Sequence, residues 1–279
     1  MKLYTIETGR FKLDGGAMFG VVPKSLWHPL YPADENNMCS WAMRCLLIED
    51  QERLMLIDTG MGNKQSEKFF SHYYLHGDDN LDASLQKAGF HREDITDVFL
   101  THLHFDHCGG AIEWDKMREG YRPAFKNARY WSNEKHWNWA IHPNAREKAS
   151  FLKENILPIQ ESGQLEFIKE NDTPLGFQIE YVFGHTEAMM LPLITYNGRK
   201  ILYMADLCPS TAHLPLPWVM AYDMRPLETL QEKERILNRC VEDNYVLFFE
   251  HDKNNACATL QMTEKGIRVK ETFSLEELG

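Results

Sequence analysis

Four short apolar segments of this chain each end in a residue that can bind a metal ion, and this pattern constrains the fold more than any other feature. The segments are DVFLT before His102, IEYVF with Gly184 before His185, ILYMA before Asp206, and YVLFFE before His251. Short apolar runs of this kind are typical of buried strands. Ligand sites in open α/β sheets form where several strands end, so we expect these strands to deliver their ligands to one edge.

The sequence that follows the first of these strands, THLHFDHCGG, holds the densest group of candidate ligands. Alternate residues of an extended backbone point to the same side, so His102 and His104 can share one metal ion. Asp106 and His107 follow a bend and can face a second ion. Desolvating so many polar side chains without a metal is costly, so the group predicts a metal site. We expect the isolated histidines to be surface or core residues, namely His28, His72, His76, His91, His136 and His142.

The remaining candidates complete two metal sites in which Asp206 is the bridging ligand. The first site takes His102, His104 and His185, and the second takes Asp106, His107 and His251. Each metal then keeps a position for water, as a catalytic metal requires. Imidazole and carboxylate ligands without thiolate suit zinc, manganese, iron or cobalt, and we expect zinc. The expected reaction is hydrolysis, in which a hydroxide bridging the metals attacks an ester-like carbonyl and Asp106 shuttles the proton.

The rest of the chain alternates between strand and helix patterns. Strands are predicted at 3–6, 18–22, 41–48, 54–57, 97–100, 177–183, 191–196, 200–204 and 245–249. Helices are predicted at 81–88 and 227–241, and Asn197-Gly198 predicts a tight hairpin turn. The tryptophan-rich region 131–158 predicts a cap of two helices separated by Pro143. No long linker or repeat interrupts the chain, so we expect one domain over residues 1–279 with this cap as an insertion.

Composition and charge limit the classes of molecule that this protein can bind. The formal net charge is −11, and the scattered Lys and Arg residues form no basic cluster, which argues against nucleic acid and favours a small neutral substrate. The N-terminal sequence MKLYTIETGRFKLDGG lacks the apolar core of a signal peptide, and no stretch approaches the length of a membrane span. The six cysteines are widely spaced and form no C-x-x-C pair. We therefore expect a cytoplasmic protein with reduced thiols.

The H-x-H-x-D-H motif lies between L-I-D-T-G and G-H-T, and a strand-end aspartate and a strand-end histidine follow. This order resembles the metallo-β-lactamase-fold hydrolases. The resemblance implies an α/β fold, a four-layer αββα sandwich with the metals at one edge of two packed sheets, and it supports the ligand division given above. It also implies that Asp58 is a structural residue near the site. In length and segment order the chain is most similar to N-acyl homoserine lactone lactonases and methyl-parathion-hydrolase-like proteins.

The resemblance implies a lactonase or esterase, with acyl homoserine lactones as the expected substrates. Lactonases of this family carry a tyrosine three residues after the bridging aspartate, where this chain has Pro209, so we expect His213, Tyr222 or a metal alone to act on the carbonyl oxygen. The sequence STAHLPLPWVMAYD resembles phosphotriesterase-type members, which makes phosphotriester hydrolysis the alternative. Two further alternatives are a non-catalytic metal-binding protein and a di-iron redox protein. Di-iron members usually carry glutamate in place of His104, which argues against the last.

Large apolar residues are candidates either for a substrate pocket or for plain core. They are Phe19, Trp27, Trp41, Trp137, Met189, Met190 and Trp218. The Met- and Trp-rich stretch from Met18 to Met43 is also a candidate contact of a homodimer.

Overall fold

The computed structural model describes residues 1–169, 173 and 176–278. The chain forms two compact units, unit 1 (Met1–Gly9 and Met43–Pro174) and unit 2 (Arg10–Ala42 and Leu175–Gly279). The strands are β1 (Lys2–Asp14), β2 (Met38–Asp50), β3 (Arg53–Ile57), β4 (Asp97–Phe99), β5 (Ile112–Trp114), β6 (Tyr121–Pro123), β7 (Arg129–Ser132), β8 (Leu165–Phe167), β9 (Gln178–Val182), β10 (Met189–Tyr196), β11 (Arg199–Tyr203), β12 (Val246–Phe248), β13 (Cys257–Thr263) and β14 (Gly266–Phe273). The α-helices are α1 (Gly15–Phe19), α2 (Lys24–Trp27), α3 (Glu67–Ser71), α4 (Leu81–Lys87), α5 (Phe105–Cys108), α6 (Glu134–Ile141), α7 (Lys153–Glu161) and α8 (Pro226–Glu242).

Unit 1 is built on a mixed sheet with the strand order β1-β2-β3-β4-β7-β8. Strands β2 and β3 pair antiparallel, and β3, β4, β7 and β8 run parallel. Parallel neighbours end at the same edge of a sheet, so the residues that follow β3 and β4 emerge side by side. The backbone N–H of Asp58, which follows β3, donates to the Phe99 carbonyl of β4 at 2.8 Å. This register places Asp58 beside the loop that carries the H-x-H-x-D-H motif.

The core of unit 1 anchors that loop. Buried parallel strands need apolar residues on both faces, which explains the continuous apolar runs of β3 and β4. Leu56 and Val98 are fully buried there, and they belong to one apolar cluster with Tyr130 of β7. Trp137 of α6 and Ile156 of α7 extend the same cluster. The two helices of the region 131–158 are therefore part of the unit 1 core.

Unit 2 contains a second six-stranded sheet, with the order β14-β13-β12-β11-β10-β9. Strands β11 and β12 run parallel. Both β9 and β11 pair antiparallel with β10 between them, so these two strands also share one direction. Strands β9, β11 and β12 consequently end at one edge of the sheet, where His185, Asp206 and His251 follow them. None of the helices described has the length and apolar composition needed to cross a bilayer.

Most predicted elements are present. Helix α4 and helix α8 form where predicted, and the hairpin turn is built by Asn197 and Gly198 with φ values of 48° and 74°. The prediction of a strand over 18–22 was wrong, because the Asp14 carboxylate caps α1 by accepting the Ala17 N–H at 2.9 Å. Trp131 lies in β7, ahead of the two predicted helices. That these helices are an insertion in a single domain stays a prediction.

Candidate functional site

Unit 1 supplies four of the predicted metal ligands from the loop 101–110, called here the ligand loop. All four are buried, namely His102, His104, Asp106 and His107. The His102 ring contacts the rings of His104 and His107, with centroid distances of 4.6 and 3.9 Å. His102 and His104 offer ring nitrogens within 4.8 Å of each other, and Asp106 and His107 offer ligand atoms equally close. Helix α5 begins at Phe105, after His104, and carries Asp106 and His107.

Asp58 orients two histidines of the ligand loop. Its carboxylate accepts the Thr101 backbone N–H at 2.8 Å and the Thr101 hydroxyl at 2.7 Å. The Thr101 oxygen lies 3.1 Å from His102 Nδ1, and Asp58 Oδ2 lies 3.1 Å from His107 Nδ1. Both Nδ1 atoms therefore have an oxygen partner, which leaves the Nε2 atoms for a metal. Asp58 thus has the geometry of a supporting residue beside the ligands.

His104 differs from these two histidines, because its Nε2 atom faces an acidic residue outside the ligand loop. Its Nε2 lies 3.4 Å from Oε1 of the buried residue Glu147. The Phe151 ring packs against the His104 ring with a centroid distance of 4.8 Å. Both neighbours belong to the region of helices α6 and α7.

Unit 2 supplies the remaining three predicted ligands, His185, Asp206 and His251, all of which are buried. His185 Nε2 lies 3.1 Å from Asp206 Oδ2, and His251 Nε2 lies 3.1 Å from Asp206 Oδ1. The Asp206 carboxylate therefore presents a different oxygen to each histidine. This arrangement is one of those in which a carboxylate can bridge two metal ions.

The two unit 2 histidines are also held through Nδ1. His185 Nδ1 pairs with Asp223 Oδ1 at 2.9 Å, and His251 Nδ1 donates to the Ala42 carbonyl at 2.7 Å. Burial by itself disfavours a charged His185 ring, but the Asp206 and Asp223 carboxylates raise the pKa of His185 to about 10. Two carboxylates around a buried imidazole stabilise positive charge at this place.

Helix α8 fixes the backbone that leads into His185. The Phe183 and Gly184 N–H groups donate to the two carboxylate oxygens of Glu232 at 2.7 and 3.0 Å. The Gly184 carbonyl accepts the Arg225 N–H at 2.8 Å. A Cβ atom on Gly184 would fall 2.2 Å from the Thr229 backbone nitrogen, so only glycine fits against the helix.

His213, the predicted electrophile, is buried and engaged at both ring nitrogens. Its Nε2 lies 2.9 Å from the Met18 carbonyl and its Nδ1 lies 2.8 Å from the Ser210 hydroxyl. Burial lowers the pKa of His213 to about 3, so the ring is neutral at neutral pH. It would have to release the Met18 carbonyl in order to polarise a substrate. A catalytic role for His213 therefore stays a prediction.

The predicted pocket residues of unit 2 form an aromatic cluster. Phe19 stacks on Trp27 at 4.9 Å and on His213 at 4.6 Å, and its edge meets Trp218 at 5.9 Å. Trp27 and Trp41 are almost fully buried, as are Trp137, Met189 and Met190. This burial fits the core alternative for these residues, whereas Trp218 is half-buried.

The two cysteines next to predicted ligands are not suited to bind metal. The Cys108 thiol donates to the Leu103 carbonyl, and the Cys208 thiol donates to the Ser210 carbonyl. Burial raises the pKa of Cys108 to about 12 and the pKa of Cys208 to about 11. Metals bind the thiolate, so these protonated thiols leave a donor set of imidazole and carboxylate. That donor set fits a divalent ion such as zinc.

Sequence reasoning missed two acidic residues that contact predicted ligands, Glu147 and Asp223. Neither lies in a strand-end pattern, and neither is adjacent to a ligand in the sequence. His136, by contrast, is a satisfied core histidine as predicted, because its Nε2 accepts the Leu103 N–H at 2.8 Å.

Comparison with known proteins identifies the family. A model of the metallo-beta-lactamase superfamily matches residues 44–239. The chain belongs to the metallo-beta-lactamase superfamily. Membership confirms the predicted family and fold, and it confirms the predicted class of enzyme, a metal-dependent hydrolase, at the level of the family.

Individual relatives cover almost the whole chain. The N-acyl homoserine lactonase AiiA of Bacillus thuringiensis subsp. kurstaki is 26% identical over 267 residues, which are 90% of this chain and 93% of the relative. The crystal structure of a probable metal-dependent hydrolase from Staphylococcus aureus is 30% identical with a TM-score of 0.86 and covers 98% of both chains. AidC, a dizinc quorum-quenching lactonase, is 24% identical with a TM-score of 0.77, over 98% of this chain and 95% of AidC.

Proposed function

We propose that this protein is a dinuclear metal-dependent hydrolase that opens the lactone ring of small neutral substrates, with N-acyl homoserine lactones as the substrate class. Two lines of support converge on this activity. Each unit carries a buried group of imidazole and carboxylate ligands. The relatives that match along 90% of the chain are N-acyl homoserine lactonases.

The observation that carries the proposal is the geometry of Asp206. Its two oxygens each lie 3.1 Å from a different histidine nitrogen, and each of those histidines is held through its other nitrogen. A carboxylate that lies between two histidines in this way can serve two metal ions. In the proposed site one ion would be held by His102, His104 and His185 and the other by Asp106, His107 and His251, and Asp206 would be a ligand to both.

Two divalent ions at these ligands would act as Lewis acids and would lower the pKa of a bound water from 15.7 toward about 7. The residues of the chain then orient the substrate and move the proton. Asp106 is the proposed proton carrier, and its Oδ2 lies 3.8 Å from His107 Nε2. Either His213 or Tyr222 is the proposed side chain that polarises the lactone carbonyl. Tyr222 directly precedes Asp223, which holds His185.

Zinc is the proposed metal. Buried imidazole nitrogens and carboxylate oxygens without thiolate are compatible with zinc, and with manganese, iron or cobalt. Elemental analysis of protein purified without added metal measures both the identity and the number of ions. We expect two ions per chain, with zinc in excess of the others.

The activity test combines metal content with turnover. Purified protein is assayed with N-acyl homoserine lactones of several chain lengths, with aryl esters and with phosphotriesters. We expect lactones to give the highest kcat/KM. Asp206→Asn should lower both the metal content and kcat, because an amide offers only one oxygen to a metal. Asp243→Asn is the matched control, since Asp243 is exposed just beyond α8 and should leave both quantities unchanged.

Other outcomes would select other functions. Preferential phosphotriester turnover would replace the lactonase by a phosphotriesterase with the same ligands. Bound metal without turnover of any substrate would indicate a metal-binding protein, and a redox-active iron pair would indicate the di-iron alternative.

A homodimer through residues 18–43 stays a prediction. Val21, Leu26 and Leu30 are exposed in this stretch. Light scattering of the intact protein measures the oligomeric state.

A further inference from the structure

One segment of unit 1 contacts the ligand loop on both sides of His104. This segment spans residues 133–161, with helices α6 and α7, and is called here the helical segment. His136 Nε2 accepts the Leu103 N–H at 2.8 Å, and the Ser150 carbonyl accepts the Phe105 N–H at 3.0 Å. The backbone N–H groups immediately before and immediately after His104 are therefore both tied to the helical segment. These contacts hold the backbone of the ligand loop in place around His104.

The same segment reaches the His104 ring through Glu147. Glu147 is only 2% exposed. Its Oε2 accepts the Trp139 indole N–H at 2.6 Å and the Asn144 amide at 2.7 Å. The Asn144 side-chain oxygen in turn accepts the Glu147 backbone N–H at 3.1 Å. These bonds fix the carboxylate with Oε1 turned toward His104 Nε2 at 3.4 Å.

The charge of Glu147 indicates what the contact does. Trp139 and Asn144 are neutral donors, and a glutamine oxygen would serve them as well as a carboxylate oxygen does. An imidazole whose other nitrogen binds a divalent ion carries partial positive charge on its free N–H, and this is the partner that a carboxylate stabilises.

We propose that Glu147 is a positioning residue for His104. With a metal ion at Nδ1, the Glu147 Oε1 atom, which lies 3.4 Å from Nε2, would accept the Nε2–H. This contact would favour the tautomer that leaves Nδ1 free to bind metal and would raise the basicity of that nitrogen. The proposal rests on the proposed function in one respect, since it takes His104 as a metal ligand. It adds that the helical segment sets the affinity of the first metal position, in addition to any role at the substrate.

The test compares Glu147→Gln with Glu161→Gln in the full-length protein. Glutamine keeps an acceptor for Trp139 and Asn144 but removes the charge beside His104. Glu161 is the exposed last residue of α7, so the same substitution there is the matched control. Zinc affinity is measured by competition with a chelator. We expect Glu147→Gln to weaken the binding of one of the two zinc ions about 10- to 100-fold. We expect Glu161→Gln to bind both zinc ions with the affinity of the wild type.

A second readout separates positioning from a purely structural role. In metal-free protein labelled with ¹⁵N-histidine, His104 should be protonated at Nε2 in the wild type and should shift toward the Nδ1-protonated tautomer in Glu147→Gln. Glu147→Asp keeps the charge and should recover part of the lost affinity. The thermal midpoint of the metal-free protein should be the same in all these variants.

Three results would overturn the proposal. The first is an unchanged zinc affinity in Glu147→Gln, and the second is an unchanged His104 tautomer in that variant. The third is an equal loss of affinity for both zinc ions together with a lower thermal midpoint of the metal-free protein. Failure of the proposed function has a different signature, because the wild-type protein itself would then bind no zinc in the chelator titration.

Discussion

Replacing Gly184 by alanine tests how tightly helix α8 sets the position of His185. The alanine Cβ would lie 2.2 Å from the Thr229 nitrogen, whereas ordinary contact begins at 3.4 Å. The difference, 3.4 minus 2.2, means that the backbone around Gly184 must retreat by about 1.2 Å. Overpacking of this kind costs about 1–3 kcal/mol. At roughly 2–4 °C per kcal/mol for a chain of this size, the thermal midpoint should fall by about 2–12 °C.

The same displacement should reach the proposed metal site. The residue after Gly184 is His185, whose Nε2 lies 3.1 Å from Asp206. A ligand that moves by about 1 Å loses its productive geometry, so we expect Gly184→Ala to lower zinc content and kcat as well as stability. Differential scanning calorimetry, elemental analysis and lactone hydrolysis measure the three effects.

Gly120→Ala is the matched control for this variant. A Cβ atom on Gly120 would meet its nearest neighbour, Asp115 Oδ2, at 3.4 Å, so the control should behave as the wild type does. If Gly184→Ala kept the wild-type thermal midpoint and full zinc content, the inference that α8 fixes His185 would be refuted.

Three further predictions concern the outer partners, a buried lysine and the metal. Asp223→Asn should weaken zinc binding about 10- to 100-fold, because His185 Nδ1 loses its carboxylate partner; a chelator titration that matches the wild type would contradict this. Lys233 is buried and donates to the Pro215 and Trp218 carbonyls at 2.9 and 2.8 Å, and burial lowers its pKa from 10.5 to about 8. Between pH 8 and pH 10.5 the unfolded chain therefore binds more protons at this lysine than the folded chain does. The free energy of unfolding of the wild type, compared with that of Lys233→Met, should rise over this pH range in urea titrations. Removing metal with a chelator should lower the thermal midpoint and excess zinc should restore it, since an ion that binds only the folded state stabilises that state; a midpoint insensitive to chelator would count against a bound metal.

The sequence was most informative about those proposed ligands that directly follow a strand. His102, Asp206 and His251 each follow an apolar run, and the buried strands β4, β11 and β12 end just before them. Parallel pairing then brings Asp206 and His251 to the same edge. Short apolar runs alone cannot distinguish strand from helix, which is why the segment 18–22 was assigned wrongly. The deciding feature there was a single cap, the Asp14 side chain.

Glu147 and Asp223 could not be identified from the sequence for a different reason. Their roles depend on which side-chain oxygen faces which ring nitrogen, and no periodic pattern encodes that contact. Asp223 lies 38 positions from His185 along the chain, and Glu147 lies within the turn between α6 and α7. Only the folded structure reveals these pairs.

The outer partners explain why the H-x-H-x-D-H motif does not make the site alone. An imidazole can bind metal through either nitrogen, and the choice is set by what the other nitrogen contacts. For His107 and His251 the partner of Nδ1 is a residue far away in the sequence. Asp58 contacts His107 across 49 positions, and the Ala42 carbonyl contacts His251 across 209 positions. The orientation of the proposed ligands therefore depends on residues in strands, turns and loops outside the motif. A chain that kept every ligand but lost these partners should still fold, yet it should bind metal weakly and turn over slowly. Asp223→Asn and Glu147→Gln are the smallest changes that test this argument.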